Sequence, residues 1–246
     1  MSIEVSHYLE RFACAADRAG FEREILAEAG GFSIPAYTKS NAGGPVIYLS
    51  SGVHGDEPAG PLALLEMLEN GFFEQPAHWL ICPLLNPVGM TKGTRENGEG
   101  LDLNRDYLAL KSQEVRAHVP WLQRQPIPDL FISLHEDWES SGFYLYEINI
   151  AGAPSAARAV LAAAAQEIPS EPEQVIDGHA VRAAGWIDHP PTADLPKHWP
   201  EAIFLANRGA GVSYTLETPS SLELCRRAAC HQLAVKELVE GLLLTR

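Results

Sequence analysis

Residues 46–57 read VIYLSSGVHGDE, and this stretch decides the fold class. Its first five residues form a short apolar run, which is typical of a strand buried in the middle of a sheet. A helix is predicted over residues 58–69, because the proline that opens this range suits the first turn of a helix. The stretch therefore predicts a strand, a turn and a helix. It places His54 and Glu57 at the carboxyl end of the strand, where α/β sheets bind ligands.

Strand and helix patterns alternate along the rest of the chain. Apolar or alternating runs predict strands at residues 32–39, 78–85, 129–135, 142–149 and 211–217. Helical spacing or composition predicts helices at residues 5–29, 112–123 and 154–168, and from a capping box at Ser220 and Glu223 to about residue 243. A polar, glycine-rich loop is expected at residues 86–100. This order predicts the α/β class: a single domain over residues 1–246, built as a three-layer sandwich with a central mixed, largely parallel twisted sheet flanked by helices.

The composition excludes several classes of partner. Of the 246 residues, 46% are hydrophobic and 20% are charged, as in ordinary globular proteins. The net charge of −14 would repel phosphate backbones and anionic lipids, so we expect no nucleic acid and no membrane partner. No apolar run approaches the ~20 residues that span a bilayer and no secretion signal is recognised, which predicts a cytoplasmic protein. The four cysteines form no Cys-x-x-Cys pair, so neither a zinc–thiolate site nor a disulfide framework is expected.

Three side chains are candidates for a metal site. His54 and Glu57 are three positions apart, which lets an imidazole and a carboxylate converge on one cation, and zinc accepts both ligand types. On its own, this spacing more often marks a helix cap beside a loop histidine. His135 ends the apolar run DLFISLH and is the best candidate for a third ligand, since it too would lie at the carboxyl end of a strand. Glu136 and Asp137 remain rival ligands. The other histidines are interpreted as structural or surface residues: His7, His78, His118, His179, His189, His198 and His231.

Residues 93–106, GTRENGEGLDLNRD, carry groups suited to an anionic substrate. Arginine binds carboxylates through paired hydrogen bonds and asparagine adds a neutral donor, so Arg95, Asn104 and Arg105 are candidate binding residues. Asp102 is a candidate to accept the free N–H of a zinc-bound histidine, which would fix its tautomer. Taken alone, the segment also fits a solvated charged loop. A phosphate-binding loop is excluded because no Gly-Lys-Ser/Thr ending is present.

A candidate base lies near the end of the last predicted strand. Strand alternation places Ser213, Thr215 and Glu217 on one face. Glu217 then stands at a strand terminus before a turn. Zinc hydrolases need such a carboxylate to take a proton from water. The alternative is a surface glutamate at a strand end.

Together these motifs resemble the zinc carboxypeptidase family, which has the carboxypeptidase A-like fold. The matching motifs, in order, are residues 54–57 (HGDE), 93–95 (GTR), 102–105 (DLNR), 135 (H) and 216–218 (LET). The segments LHEDW and GFY, at 134–138 and 142–144, resemble small bacterial members in particular. The family includes bacterial metallocarboxypeptidases, murein-peptide amidases and, more distantly, succinylglutamate desuccinylase and aspartoacylase.

The resemblance implies a site with one zinc ion. By analogy, His54, Glu57 and His135 would bind the zinc, and Asp102 would orient His54. Such a site would hydrolyse an amide bond, with Glu217 acting as general base and then as general acid.

The resemblance also implies how substrate would be held. Arg95 would polarise the scissile carbonyl, while Asn104 and Arg105 would hold the terminal carboxylate of a peptide or an N-acyl amino acid. Residues 169–200 are proline-rich and irregular, and a loop of this length is typical of a lid or binding loop. Digestive members of the family carry a mobile tyrosine before the catalytic glutamate.

This chain has no tyrosine at residues 147–213, which is a departure from the digestive pattern. Trp186, His189 or Trp199 is the candidate for the closing role.

Three functions fit this resemblance. The first is a zinc metallocarboxypeptidase that hydrolyses a C-terminal peptide bond next to a free carboxylate. The second is a zinc-dependent deacylase of N-acyl amino acids or an amidase of cell-wall peptides. The desuccinylase group usually carries an extra C-terminal β domain, whereas one helix is predicted after Glu217, which favours the peptidase. The third is a non-catalytic binding protein on the same fold, for which a missing ligand or base is expected. A serine hydrolase is excluded because no Gly-x-Ser-x-Gly motif occurs.

Overall fold

The computed structural model describes residues 3–41 and 43–244. The two ends of the predicted 1–246 domain therefore lie outside the described residues. Within the described ranges the helices are α1 (Val5–Arg18), α2 (Ala59–Glu69), α3 (Pro87–Lys92), α4 (Gln113–Arg124), α5 (Ala157–Ala164), α6 (Glu201–Asn207) and α7 (Leu224–Leu244). The strands are β1 (Glu22–Ala29), β2 (Phe32–Ser40), β3 (Val46–Ser51), β4 (His78–Cys82), β5 (Leu130–Asp137), β6 (Tyr144–Asn149), β7 (Val175–Ile176), β8 (His179–Ala180), β9 (Trp186–Asp188) and β10 (Val212–Pro219).

A mixed sheet forms the middle layer. In the described part of the chain its eight strands have the order β1-β2-β4-β3-β5-β10-β6-β9. The centre is parallel, because β3 pairs in parallel with β4 and β5, and β5 pairs in parallel with β10. The strands β1, β2 and β6 run antiparallel to their inner neighbours. The prediction of a mixed, largely parallel sheet is confirmed, and the carboxyl ends of β3, β5 and β10 meet at one edge.

Helices cover both faces of this sheet, as predicted. In β3, Ile47 and Leu49 face a core that also contains residues of α1, α2, α5 and α7. Tyr48, between them, faces a second core with residues of α4 and α6. This alternation follows from the two-residue repeat of a strand, and the apolar first part of β3 suits burial on both sides. None of the helices in the described residues combines the length and the hydropathy needed to cross a membrane.

The predicted helix over residues 5–29 is wrong in its second half. The helix α1 ends at Arg18, and residues 22–29 form β1, which pairs antiparallel with β2. Gly30 and Gly31 both have positive φ, at 59° and 86°, and they close a tight hairpin instead of ending a helix. Pairing along the edge of the sheet therefore overrides the helical propensity of the sequence EREILAEA.

Other predicted boundaries also change. The loop expected at 86–100 contains α3, where Asn86 accepts a hydrogen bond from the Gly89 amide and so caps the helix. The helix α6 was not predicted. The last helix begins at Leu224, four residues after the predicted cap Ser220, whose amide instead donates to the carbonyl of Asp137.

Candidate functional site

A turn after β3 carries His54 and Glu57 into the interior. Gly52 has a φ of 58°, which favours glycine at this turn. A Cβ at Gly55 would lie 2.0 Å from the backbone of Gly89, so only glycine lets the turn pack against α3. Both side chains are thereby buried at the carboxyl edge of the sheet, just before α2 begins.

His135 meets these two residues from the neighbouring strand β5. One carboxylate oxygen of Glu57 lies 2.6 Å from Nδ1 of His54, and the other lies 2.9 Å from Nδ1 of His135. One ligand atom from each residue lies within 4.8 Å of the other two. The structure therefore brings together the three residues predicted as metal ligands, and we call them the inner cluster.

The two rival ligands point to other partners. Glu136 accepts a hydrogen bond from the amide of Ala59 at the start of α2 and forms a buried ion pair with Arg227. Asp137 accepts a hydrogen bond from the hydroxyl of Tyr144, at 3.1 Å. Neither carboxylate is part of the group that converges with the two histidines.

Asp102 lies behind His54, where the sequence placed it. Its Oδ1 is 3.2 Å from Nε2 of His54, and its Oδ2 accepts a hydrogen bond from Nε of Arg95 at 3.1 Å. If Nε2 carries the proton that Asp102 accepts, Nδ1 presents a lone pair to the carboxylate oxygen of Glu57. Two lone pairs at 2.6 Å repel each other unless a proton or a cation lies between them. Two imidazoles and one carboxylate are a common catalytic zinc set, so the donors fit a zinc ion.

The charges in the inner cluster also suit a cation. Burial alone would raise the pKa of Glu57, but the neighbouring imidazoles hold that pKa far below its usual range. Burial likewise opposes ionisation of Asp102, yet the hydrogen bond and charge of His54, with the charge of Arg95, keep its pKa low. Burial lowers the pKa of His135, which favours a neutral imidazole. Ionised carboxylates and a neutral imidazole are the forms that bind metals.

Glu217 lies beside His135 in the sheet. The strands β5 and β10 are parallel, and their register pairs Glu217 with His135. Thr215 and Glu217 both line the cavity above the inner cluster, while Leu216 faces the core. Burial, reinforced by the charge of Glu57, raises the pKa of Glu217 well above its usual range. A carboxylate with a raised pKa can both accept and return a proton.

The three predicted substrate-binding residues line the same cavity. Arg95 is partly exposed, and its Nη1 is 3.7 Å from Glu57. The side-chain oxygen of Asn104 accepts the amide N–H of Glu201 at 3.0 Å, which leaves the Asn104 amide group as a donor. Arg105 is exposed and hydrogen-bonds the Asn104 carbonyl at 2.9 Å. Cationic and neutral donors therefore stand next to the inner cluster, as an anionic group would require.

Some residues that line the cavity are not among the site residues predicted from the sequence. The cavity has a volume of about 400 Å³, within the range of small-molecule sites. Tyr144 and Tyr146 line it from β6, and Asp177 lines it from the turn after β7. Period-two alternation in β6 would have placed the two tyrosines on one face. The tyrosines and Asp177 make this part of the wall aromatic and acidic.

Of the three residues expected to replace the lid tyrosine, only His189 lines the cavity. Trp186 is 4% exposed and belongs to the main core, so it cannot swing without unpacking that core. Trp199 packs against the second core. Neither tryptophan lines the cavity, so the structure favours His189 among the three candidates for the closing role.

The comparisons with known proteins agree with this fold. The family model of the succinylglutamate desuccinylase/aspartoacylase catalytic domain matches residues 43–171. Among solved structures, a candidate metallopeptidase from Shewanella amazonensis is 28% identical with a TM-score of 0.85, and the match covers 98% of this chain and 94% of that one. A metallo-carboxypeptidase from Burkholderia cenocepacia has a TM-score of 0.74 at 14% identity, covering 100% and 70%, which is a likeness of fold.

A curated relative gives a shorter match. Carboxypeptidase SOL1 from Arabidopsis thaliana is 31% identical in an alignment of 100 residues that covers 32% of this chain. The match spans 20% of that relative, so most of its length has no counterpart in the alignment.

Proposed function

The chain belongs to the succinylglutamate desuccinylase/aspartoacylase catalytic-domain family, within the zinc carboxypeptidase-like hydrolases, and from this premise we propose that it is a zinc-dependent carboxypeptidase. In this proposal it hydrolyses the C-terminal amide bond of a peptide, next to a free carboxylate. The natural partner is a small peptide or a related acylated amino acid.

The observation that carries the proposal is the inner cluster. Its three donors come from the turn after β3 and from the neighbouring strand β5 and meet within 4.8 Å, below a cavity that also contains a carboxylate and cationic donors. A zinc ion held by His54, Glu57 and His135 would act as a Lewis acid toward the substrate carbonyl and toward water. Asp102 holds His54 in the tautomer that leaves Nδ1 free for the metal.

The remaining steps belong to the chain's own residues. Glu217 takes a proton from the attacking water and then gives it to the leaving amine. Arg95 stabilises the negative charge that develops on the carbonyl oxygen. Asn104 and Arg105 hold the free carboxylate of the substrate, which brings one particular amide bond over the inner cluster.

A deacylase of N-acyl amino acids is the second candidate. The description of the matching family favours it, since that family is named for a desuccinylase and an aspartoacylase. Such a substrate presents the same elements, an amide beside a carboxylate, to the same residues. The names of the solved and curated relatives favour the peptidase.

Glu217→Gln tests the proposed base. The variant should bind as much zinc as the wild type, since Glu217 is not a ligand, and should lose nearly all hydrolysis. The loss should be about a hundredfold or more, because a positioned base contributes that much. Glu223→Gln, an exposed carboxylate six positions further on, is the matched control and should behave as wild type. Undiminished turnover of Glu217→Gln would contradict the assignment.

Two substrate sets separate the candidates. Purified protein is assayed against N-blocked dipeptides with different C-terminal residues and against N-acetyl and N-succinyl amino acids. A higher kcat/KM for the dipeptides supports the carboxypeptidase, and the reverse supports the deacylase. No zinc-dependent hydrolysis of either set would overturn the enzymatic proposal.

A further inference from the structure

A second group of two histidines and one carboxylate lies at the rim of the same cavity. His179 belongs to β8, His189 follows β9, and Asp194 lies on the loop that leads to α6. One ligand atom from each lies within 4.8 Å of the other two, and all three residues line the cavity. We call them the rim cluster, and we call residues 169–200, which carry it, the outer segment.

The spacing within the rim cluster is that of ligands around a cation. Oδ1 of Asp194 is 3.4 Å from Nε2 of His189, and Oδ2 is 3.4 Å from Nε2 of His179. These distances exceed the usual hydrogen-bond length of about 2.7–3.2 Å. Ligands held at about 2.0–2.1 Å by a tetrahedral zinc lie about 3.3–3.4 Å apart, so each histidine lies at ligand spacing from one of the two carboxylate oxygens. The two rings are 4.9 Å apart at 65°, so they turn different edges toward Asp194.

The tautomer of His189 also fits a ligand. Its Nδ1 is 2.7 Å from the carbonyl oxygen of Pro190, which can only accept, so Nδ1 carries the proton. In the neutral ring, Nε2 then presents a lone pair to the carboxylate of Asp194. Metal-binding histidines commonly donate their other N–H to a backbone carbonyl in this way.

A further carboxylate lies close to the rim cluster. Tyr146 packs edge-on against both imidazoles, with ring centroids 5.9 Å away in each case. Its hydroxyl donates to Asp177 at 2.7 Å, which places a second carboxylate behind the rings. A positive ion would therefore be attracted to this side of the cavity.

We propose that the rim cluster binds a second divalent cation of the zinc type. Two imidazole nitrogens favour zinc over calcium or magnesium, which take oxygen ligands. The three ligands come from three stretches of the outer segment, so a bound ion would tie β8, the end of β9 and the following loop together. The ion would thereby stabilise one wall of the cavity. This site does not depend on the proposed hydrolysis at the inner cluster.

Zinc stoichiometry tests the rim cluster directly. Metal-free full-length protein is titrated with zinc at pH 7.5 by calorimetry. Wild type should bind two equivalents, and Asp194→Ala should bind one. Asp194 is exposed, so its removal should leave the fold intact. His198→Ala removes another histidine of the outer segment that is not part of the cluster, and should still bind two equivalents.

A double variant separates this site from the inner one. Glu57→Gln, which disables the inner cluster, should retain one equivalent of zinc, and Glu57→Gln combined with Asp194→Ala should bind none. This result holds even if the protein hydrolyses neither substrate set. An Asp194→Ala variant that binds as much zinc as wild type, or Asp194→Ala and His198→Ala losing zinc equally, would overturn the proposal.

Proteolysis provides a second readout, independent of activity. Lys197 is an exposed trypsin site three residues after Asp194. At free zinc tenfold above the dissociation constant of the rim site, cleavage at Lys197 through local opening should slow about tenfold in wild type. It should not slow in Asp194→Ala. Equal zinc protection of both proteins would mean that zinc acts elsewhere, and would contradict the proposal.

Discussion

The inner cluster and the rim cluster have the same side-chain types but differ in what holds them. The inner histidines and Glu57 have side chains that are 3–4% exposed, and they stand at the ends of the central strands β3 and β5. In the rim cluster, His189 is 8% exposed, His179 is 24% exposed and Asp194 is 64% exposed. His179 lies in the two-residue strand β8, His189 follows the three-residue strand β9, and Asp194 lies on a loop. Donors fixed by a sheet lose little freedom on binding an ion, whereas donors on short elements must be ordered by it.

The hydrogen bonds that orient the histidines also differ between the two clusters. The Nε2 of His54 is held by a partly buried network in which Asp102 also accepts from Arg95 and from the amide of Asn104. The ring of His189, in contrast, hydrogen-bonds the carbonyl of the next residue, which lies on the exposed loop. We therefore expect the inner cluster to bind zinc more tightly and the rim cluster to release it first to a chelator.

The largest effect should come from Glu57→Gln, which breaks the inner cluster and spares the rim. Glu57 contacts both inner histidines, and a neutral amide is a poor zinc ligand. Hydrolysis should fall about a thousandfold or more, because the metal and the charge between the imidazoles are lost together. The measurement is kcat/KM on the preferred substrate, with metal content determined on the same sample.

Asp56→Asn is the matched control for this variant. Asp56 precedes Glu57 and is exposed, so the change should leave zinc content and turnover near the wild-type values. A Glu57→Gln protein that still hydrolysed substrate at the wild-type rate would remove the functional difference between the two clusters.

The difference in supporting structure also explains why the inner cluster could be predicted from the sequence and the rim cluster could not. Buried parallel strands can be predicted from apolar runs in the sequence, and their carboxyl ends lie at one edge of an α/β sheet. The sequence therefore predicts that His54 and His135 lie close together. The sequence of the outer segment shows neither an apolar run nor the periodicity of a strand or helix. His179 and His189 are ten positions apart on irregular backbone, and they were interpreted as structural or surface residues because nothing local indicates that they meet.

Two other misses have related causes. The strand β1 was assigned to a helix because its residues favour helices, and only its pairing with β2 reveals the strand. Glu201 was not considered because burial of a charged residue depends on tertiary contacts. It is fully enclosed, where it accepts hydrogen bonds from Tyr48 and Ser50 at 2.7 Å each, and its amide holds Asn104.

The second-largest predicted effect concerns Glu201, which is buried and whose amide holds the side chain of Asn104. Burial raises the pKa of Glu201 from 4.5 to about 7. The folded protein therefore binds more protons than the unfolded chain between these values, and Glu201 makes stability fall as pH rises from 4.5 to 7. Glu201→Gln resembles the protonated acid, so the variant should gain up to about 3 kcal/mol relative to wild type across that window.

Denaturant unfolding of the two proteins at pH 4.5, 6 and 8 measures this difference, since the other titrating groups contribute equally to both. A difference that stays constant with pH would show that Glu201 is ionised throughout.

The smallest effect compares one apolar side chain from each wall of the cavity. Trp138 directly follows β5 and is 76% exposed, whereas Leu195 lies in the outer segment and is 57% exposed. Both side chains line the cavity. Trp138→Ala should raise KM about three- to tenfold with kcat unchanged, because a large aromatic surface fixed at a strand end is lost. Leu195→Ala should change KM by less than about threefold, since a smaller side chain on an irregular loop buries less area and must be ordered on binding. Steady-state kinetics on one dipeptide substrate gives both values. Equal increases in KM would show that the outer segment contributes as much to substrate binding as the strand ends do. The difference between the two walls of the cavity would then be confined to metal binding.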